Sequence, residues 1–271
     1  MGSGHIKSLI GFNSAATELH ENDLTIMSFN CRGFYDYPAD KSTKKDILNL
    51  LAKQDADIIC FQEFPNTKNL LKSVAKSTGL DYYYKPNKVA LAIFSKYPIT
   101  NKAIVDQGNN GSIYSSIDYK GRSLNVYNVH LKSNRITDEA NKVIEEKELG
   151  EKRTWLGIRS VLRKIKHASI VRADQARKVA AHVQKKKAHV ILCGDFNETP
   201  QSYAYRVLSN GLKDSFCERG SGMGSTYAGK IPALRIDYIF AGDKVEVDEH
   251  RILKVEVSDH YPVVSRFHFA E

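Results

Sequence analysis

The sequence predicts an α/β fold in which two mixed β-sheets pack face to face with helices on the outside. Three observations carry that expectation. Apolar runs of strand length, each bounded by turn residues, recur along the chain. Several follow one another with no helix between them, which argues against a simple parallel βαβ sheet. Segments with apolar residues at helical spacing lie between the others. No composition shift or low-complexity linker divides the 271 residues, so residues 24–271 are expected to form a single domain.

Taken in order, Met1-Gly2-Ser3-Gly4-His5 reads as the scar of a recombinant tag, and a native signal or membrane anchor would have been lost with it. Residues 5–22 lack a clear period, so residues 1–23 are set apart as scar and flexible lead-in, and the compartment is left open. Residues 25–30 alternate and read as a first strand. Ile47, Leu48, Leu50 and Leu51 place a helix over 43–53. Residues 57–63 form an apolar run closed by Glu63, and 66–78 is helical through Leu70, Leu71 and Val74. Strands follow at 89–95 and 112–118. Tyr119-Lys120-Gly121-Arg122 is a hairpin turn leading into a strand over 124–131. A helical pattern covers roughly 136–187, with a break expected near Gly150 or Gly157. A strand at 190–193, a short helix at 202–208, a glycine-rich loop at 219–230 and strands at 235–240 and 262–269 complete the chain.

The net charge of +9 favours polyanionic partners: nucleic acid, anionic lipid headgroups or phosphorylated small molecules. A solvated lysine-rich surface is the plainer reading of the same number. The four cysteines include no Cys-x-x-Cys pair, so zinc spacing is absent and no disulfide framework is expected. No run of 18 apolar residues occurs, which excludes a membrane-spanning helix.

The chemistry sits at strand ends. In Val190-Ile191-Leu192-Cys193-Gly194-Asp195-Phe196-Asn197, an apolar run gives way to a glycine and two polar residues at i and i+2. If the chain stays extended, Asp195 and Asn197 face the same side. A core would not compensate their desolvation, so they suggest a polar site. Asn30, Glu63, His130, Asp237 and the pair Asp259-His260 close or open other apolar runs. Each alone has a structural explanation as a turn, surface or capping residue.

Together, Ser28-Phe29-Asn30, Gln62-Glu63, Asn128-Val129-His130-Leu131, Gly194-Asp195-Phe196-Asn197, Asp237-Tyr238 and Ser258-Asp259-His260 occur in an order that resembles the endonuclease/exonuclease/phosphatase superfamily, the fold of DNase I and the AP endonucleases. The resemblance covers roughly residues 24–269 and is nearest to bacterial members. It implies a four-layer α/β/β/α sandwich, DNase I-like, with the site at one end of the two sheets. It implies that Glu63 is the main ligand of a divalent metal with Asn30 and Asp259 nearby, and all-oxygen ligation suits Mg²⁺ or Mn²⁺. It implies that Asp195 orients or deprotonates the attacking water, and that Asn197 holds a phosphate oxygen. His260, oriented by Asp237, would contact the scissile phosphate, and His130 would be a second donor to it. The residue types suit hydrolysis of a phosphodiester, whose negative charge must be stabilised as it grows. Carboxylates as close as Glu63, Asp195 and Asp259 would repel one another without a cation.

Superfamily members act on DNA, RNA, phosphotyrosyl–DNA links, inositol phosphates and sphingomyelin, so the fold does not name the substrate. Ser-Phe-Asn-Cys-Arg-Gly departs from the Trp-Asn-x-Asn-Gly of AP endonucleases. Gly-Asp-Phe-Asn replaces the Gly-Asp-Thr-Asn of tyrosyl-DNA phosphodiesterases, and the Trp-x-Asp-Arg of inositol 5-phosphatases is missing. Residues 151–187 carry twelve Lys or Arg against Glu151 and Asp174. Beside a cleft they would neutralise nucleic-acid phosphates, with Trp155 as a stacking face; they would equally suit an anionic membrane surface. The expectation is a metal-dependent nuclease. A phosphodiesterase or phosphatase for lipid headgroups or small phosphorylated molecules and a non-catalytic binding module are the alternatives, and no protein partner is expected.

Overall fold

The structure is a computed structural model. It describes residues 8–13, 23–35, 43–108, 110–133, 151–186, 189–229 and 234–270, with side chains except at 43 and 151–162. Its strands are β1 (Ile10–Phe12), β2 (Leu24–Asn30), β3 (Ile58–Gln62), β4 (Tyr82–Tyr84), β5 (Leu91–Ser95), β6 (Ile99–Asp106), β7 (Ser112–Tyr119), β8 (Arg122–His130), β9 (His189–Asp195), β10 (Lys213–Asp214), β11 (Ser221–Met223), β12 (Asp237–Ala241), β13 (Val245–Ile252) and β14 (Val263–Phe269). Its helices are α1 (Thr43–Gln54), α2 (Lys68–Thr78), α3 (Glu151–Gln184), α4 (Tyr203–Leu208) and α5 (Ser215–Arg219).

Two six-stranded mixed sheets form the centre, in the orders β13-β14-β2-β3-β5-β4 and β10-β12-β9-β8-β7-β6. Each is built around one parallel pair, β2 with β3 and β8 with β9. Leu24, Ile26, Ile58, Cys60, Val126, Ile191, Cys193 and Ile239 fill the space between the sheets. Met27, Phe29, Ile59 and Phe61 face outward against Ile47 and Leu51 of α1 and Leu70 and Val74 of α2. Tyr127, Leu192 and Phe240 do the same against Ala176 and Val179 of α3. The result is the four-layer sandwich. Because both faces of the central strands are covered, those strands read as continuous apolar runs. No helix among the described residues is long and apolar enough to cross a membrane.

Local chemistry fixes several boundaries. Gly79 ends α2 at φ 71°, the left-handed cap that glycine adopts without strain. The Ser202 hydroxyl caps α4 by accepting from the Tyr205 amide at 3.1 Å. Lys120 and Gly121 both have positive φ, as a two-residue hairpin between β7 and β8 requires. Gly194, inside β9, has φ 141°, and a Cβ there would collide with the Val129 carbonyl on β8. Gly194→Ala is therefore expected to cost more than about 2 kcal/mol and to lower the melting temperature by roughly 5 °C or more. An unchanged thermal melt would contradict this.

Four sequence expectations need correction. Helix α3 runs unbroken through Gly157, because a glycine inside a helix costs only about 1 kcal/mol and does not by itself end one. Within the lead-in, Ile10–Phe12 pairs antiparallel with Ser221–Met223 of the loop expected at 219–230; residues 14–22 lie outside the described residues. Arg172 does not belong to a solvated basic face. It is 1% exposed and donates from Nε to Glu198 Oε1 at 2.6 Å and from Nη1 to the Lys132 carbonyl at 2.9 Å. Nor is Lys178 opposed by Asp174 alone, since Asp106 of β6 also lies 3.4 Å from it, while Arg177 pairs with Asp174 at 3.6 Å. The expected helical residues 136–150, the Trp155 side chain and Lys187 lie outside the described residues.

Candidate active site

Strand alternation decides where the polar residues go. Positions 24 and 26 of β2 point between the sheets, and so do 126 of β8, 191 and 193 of β9, and 239 of β12. Continuing by twos toward one end of the sandwich, the same inward positions become Ser28, Asn30, Asn128, His130, Asp195 and Asp237. The inter-sheet core thus changes from apolar to polar at one mouth. Beneath that mouth Gln62 Nε2 donates to Asn128 Oδ1 at 2.7 Å and to Ser28 Oγ at 3.2 Å, joining the sheets through a buried polar layer.

At the mouth, Asn30 Nδ2 donates to Glu63 Oε1 at 3.3 Å and to Asp195 Oδ2 at 3.0 Å. The second bond crosses from one sheet to the other. Asp195 Oδ2 also lies 3.4 Å from His130 Nε2 and 3.8 Å from His260 Nε2. Asp195 Oδ1 accepts the Asn197 amide at 2.9 Å. On its other side, His260 holds Nδ1 2.9 Å from Asp237 Oδ2, and Asp237 is the register partner of Asp195 across β12 and β9. Asn30, His130, Asp195, Asp237 and His260 are all buried, none more than 6% exposed.

Two expected residues stand at the rim. The Asn197 side chain donates to the Leu131 carbonyl at 3.3 Å. Asp259 lies 3.8 Å from Arg32 Nε and accepts from Ser258 Oγ at 3.3 Å. Glu63 and Asn197, with φ of 56° and 51°, are in the left-handed region, as is Arg32 at 45°. Such backbone strain in non-glycine residues is concentrated at functional sites.

The electrostatics separate the two imidazoles. Burial opposes a charge on His260, but the carboxylates of Asp237 and Asp195 outweigh it and lift its pKa to about 10. Burial also dominates His130, and there the pull of Asp195 and Glu63 does not compensate, so its pKa falls below the usual histidine value. Asp237 is pushed up to about 6 by burial and by Asp195, against the pull of His260. At neutral pH the site therefore holds one imidazolium and one neutral imidazole.

Among the described residues, Asp195, Asp237 and His260 have donor atoms that lie within 4.8 Å of one another. Two of these three already hold each other through the His260–Asp237 bond. The Glu63 carboxylate is the freer of the oxygen ligands and suits a hard divalent ion; Asn30 now turns its Nδ2 toward Glu63 and accepts the Arg32 amide on Oδ1 at 3.1 Å, so it would lend an oxygen to a cation only by turning its amide. Three carboxyl groups, those of Asp237, Asp195 and Asp259, act on the single imidazolium of His260, with Glu63 facing the neutral His130, and an added positive charge fits that imbalance.

Sequence reasoning missed several neighbours. Asn110, at φ 79°, places Nδ2 3.0 Å from His130 Nε2 and 3.1 Å from the Leu131 carbonyl; the Asn-Gly turn signal was its only trace. Tyr227 sets its ring edge-on to His260 at 5.4 Å, from a loop with no period. Thr226 Oγ1 accepts the amides of Ile236 and Asp237 at 3.0 Å. Arg32 was quoted in the first motif but given no role.

Solved structures share the architecture. A conserved protein of unknown function from Enterococcus faecalis V583 superposes with a TM-score of 0.66 at 15% identity, over 91% of this chain and 100% of that one. D. rerio TDP2, complexed with single strand DNA product, gives 0.65 at 16% identity over 92% and 100%. The Bacteroides thetaiotaomicron VPI-5482 mannosyl-6-phosphatase Bt3783 gives 0.63 at 17% identity over 91% and 100%. No curated protein matches by sequence. At these identities the likeness establishes the fold alone. The family assignment comes from a sequence model, that of the Endonuclease/Exonuclease/phosphatase family, which matches residues 27–260. That match runs from the strand leading into Asn30 to the histidine facing Asp195, and the chain belongs to this family of phosphoesterases.

Proposed function

We propose that this chain is a divalent-metal-dependent hydrolase of phosphodiester bonds in nucleic acid. The observation that carries the reading is the convergence of Asn30, His130 and His260 on one carboxylate oxygen of Asp195. Glu63 would hold Mg²⁺ or Mn²⁺, with Asn30 and Asp259 nearby, and the bound ion would offset charge on the phosphate oxygens. Asp195 accepts the proton of the attacking water. His260, kept cationic by Asp237, donates from Nε2 to a phosphate oxygen as its charge grows. His130 is neutral, and as a second donor it would release the Asn110 amide that now faces its Nε2 at 3.0 Å; Asn197 reaches a phosphate oxygen by turning its amide from the Leu131 carbonyl.

The polyanion preference rests on α3. Arg163, Lys164, Ile165, Lys166 and His167 are all exposed, and five consecutive positions at 100° each encircle the helix. Two residues on, Ser169 and Arg172 grip Glu198, next to Asn197. A cationic turn thus stands beside the site, where it would meet phosphates flanking the scissile one.

The test is hydrolysis of single- and double-stranded DNA, RNA, phosphoinositides, sphingomyelin and sugar phosphates with Mg²⁺ or Mn²⁺. One fold neighbour is complexed with a DNA product and another is a mannosyl-6-phosphatase, so diesters and monoesters both belong in the panel. Nucleic acid should be cleaved, EDTA should abolish cleavage, and the double variant R163E/K166E should raise KM at least several-fold with a weaker dependence on salt. Activity confined to lipids or small phosphate esters would overturn the nucleic-acid assignment.

A further inference from the structure

Outside the site lies a second buried charge cluster that the chemistry above does not use. Arg235, two residues before Asp237, is 2% exposed. It forms a forked pair with Asp214, Nη1 to Oδ1 at 3.0 Å and Nη2 to Oδ2 at 2.7 Å. Its guanidinium lies over the rings of Tyr238 at 4.7 Å and Phe216 at 4.8 Å, with Tyr205 at 5.9 Å. Asp214 is in turn held by the Tyr205 hydroxyl at 2.6 Å and the Phe216 amide at 3.0 Å. Replacing a buried ion pair by apolar groups is often neutral or stabilising, so fold stability is a weak reason for keeping one here.

The backbone on either side of Arg235 leads into the site. The Tyr238 hydroxyl shares its proton between the Arg235 carbonyl at 2.6 Å and the Glu198 carbonyl at 2.8 Å. The Ile236 carbonyl accepts the Phe196 amide at 2.8 Å. Residues 235–237 are thereby bolted to residues 196–198, which follow Asp195. Arg235 pins this segment to a carboxylate on β10, while Thr226 Oγ1 holds the Ile236 and Asp237 amides.

We propose that Arg235, through its clamp on Asp214, is a positioning residue that sets Asp237 against His260 and so fixes where His260 Nε2 stands relative to Asp195. The proposal rests on the hydrolytic reading of the site, but its first readout does not. The imidazole protons of His260 report the Asp237 contact directly by NMR, whether or not a substrate has been found.

The deciding variant is R235M/D214L, which removes both charges at once and leaves apolar groups in their place. Its melting temperature should fall, because the Tyr205 hydroxyl and the Phe216 amide lose the acceptor that Asp214 provides, while the protein stays folded. The Nδ1 proton of His260 should move upfield or broaden as the Asp237 contact loosens, and kcat on the cleaved substrate should fall about tenfold with KM unchanged. Arg235→Lys, which keeps the charge and loses the fork, should fall between this variant and wild type. A His260 resonance and a kcat unchanged in a folded R235M/D214L protein would overturn the proposal. If the double variant does not fold, Arg235→Lys carries the test alone: a wild-type His260 signal and kcat in it would overturn the proposal. Absence of hydrolysis by wild type would refute the functional reading and leave the NMR test standing.

Discussion

Asp195→Asn is expected to lower kcat by roughly 10²–10⁴-fold, the range for loss of a positioned general base, with KM and melting temperature near wild type. The substitution keeps shape and one oxygen, which can still accept the Asn197 amide as Oδ1 does now at 2.9 Å. It removes the second acceptor oxygen, on which Asn30, His130 and His260 converge. An amide cannot take a proton from water, and it leaves His260 without one of the carboxylates that keep it charged. The check is steady-state kinetics at saturating metal on whichever substrate the wild type cleaves. A kcat within threefold of wild type would remove Asp195 from the chemistry.

Asp237→Asn should lower the rate on the order of 10²-fold or more and change its pH dependence. The wild-type pair titrates as a unit, with limbs near 6 and near 10. An asparagine cannot accept in two places as the carboxylate does, and it lacks the charge that most strongly raises His260. The limb near 6 should disappear and the limb near 10 should move toward neutrality. The stability sign follows from the same shift. The folded pKa of His260 lies above its unfolded value of about 6.5, so its contribution is complete below that value and is lost as pH rises through about 10. The variant should show a smaller loss of melting temperature over that alkaline range. A variant with an unshifted alkaline limb would separate Asp237 from the protonation of His260.

The sequence made the site more legible than its supports. Asn30, Glu63, His130, Asp195, Asp237 and His260 could be read because each interrupts or ends an apolar run, and buried strands advertise themselves. Edge strands do not. β13 mixes charged residues with valines and carries a bulge between Val247 and Glu249, and β6 has two register shifts and an exposed polar face. β4 is three tyrosines at a sheet edge. Long-range pairing hid the rest. Arg172 and Arg235 look like surface cations until Glu198 and Asp214, 26 and 21 residues away, are folded against them. Asn110 carried a turn signal, which says nothing about a histidine 20 residues on.

The strand orders make the site depend on its most distant pairing. The whole partner sheet lies in the chain between β3 and the hairpin of β13 and β14, which returns to the first sheet with β14 beside β2. His260 travels with that returning hairpin. A chain that already holds Asn30, Glu63, His130, Asp195 and Asp237 in place still lacks its imidazolium until β14 docks on β2, so loosening of that one strand pair falls first on His260.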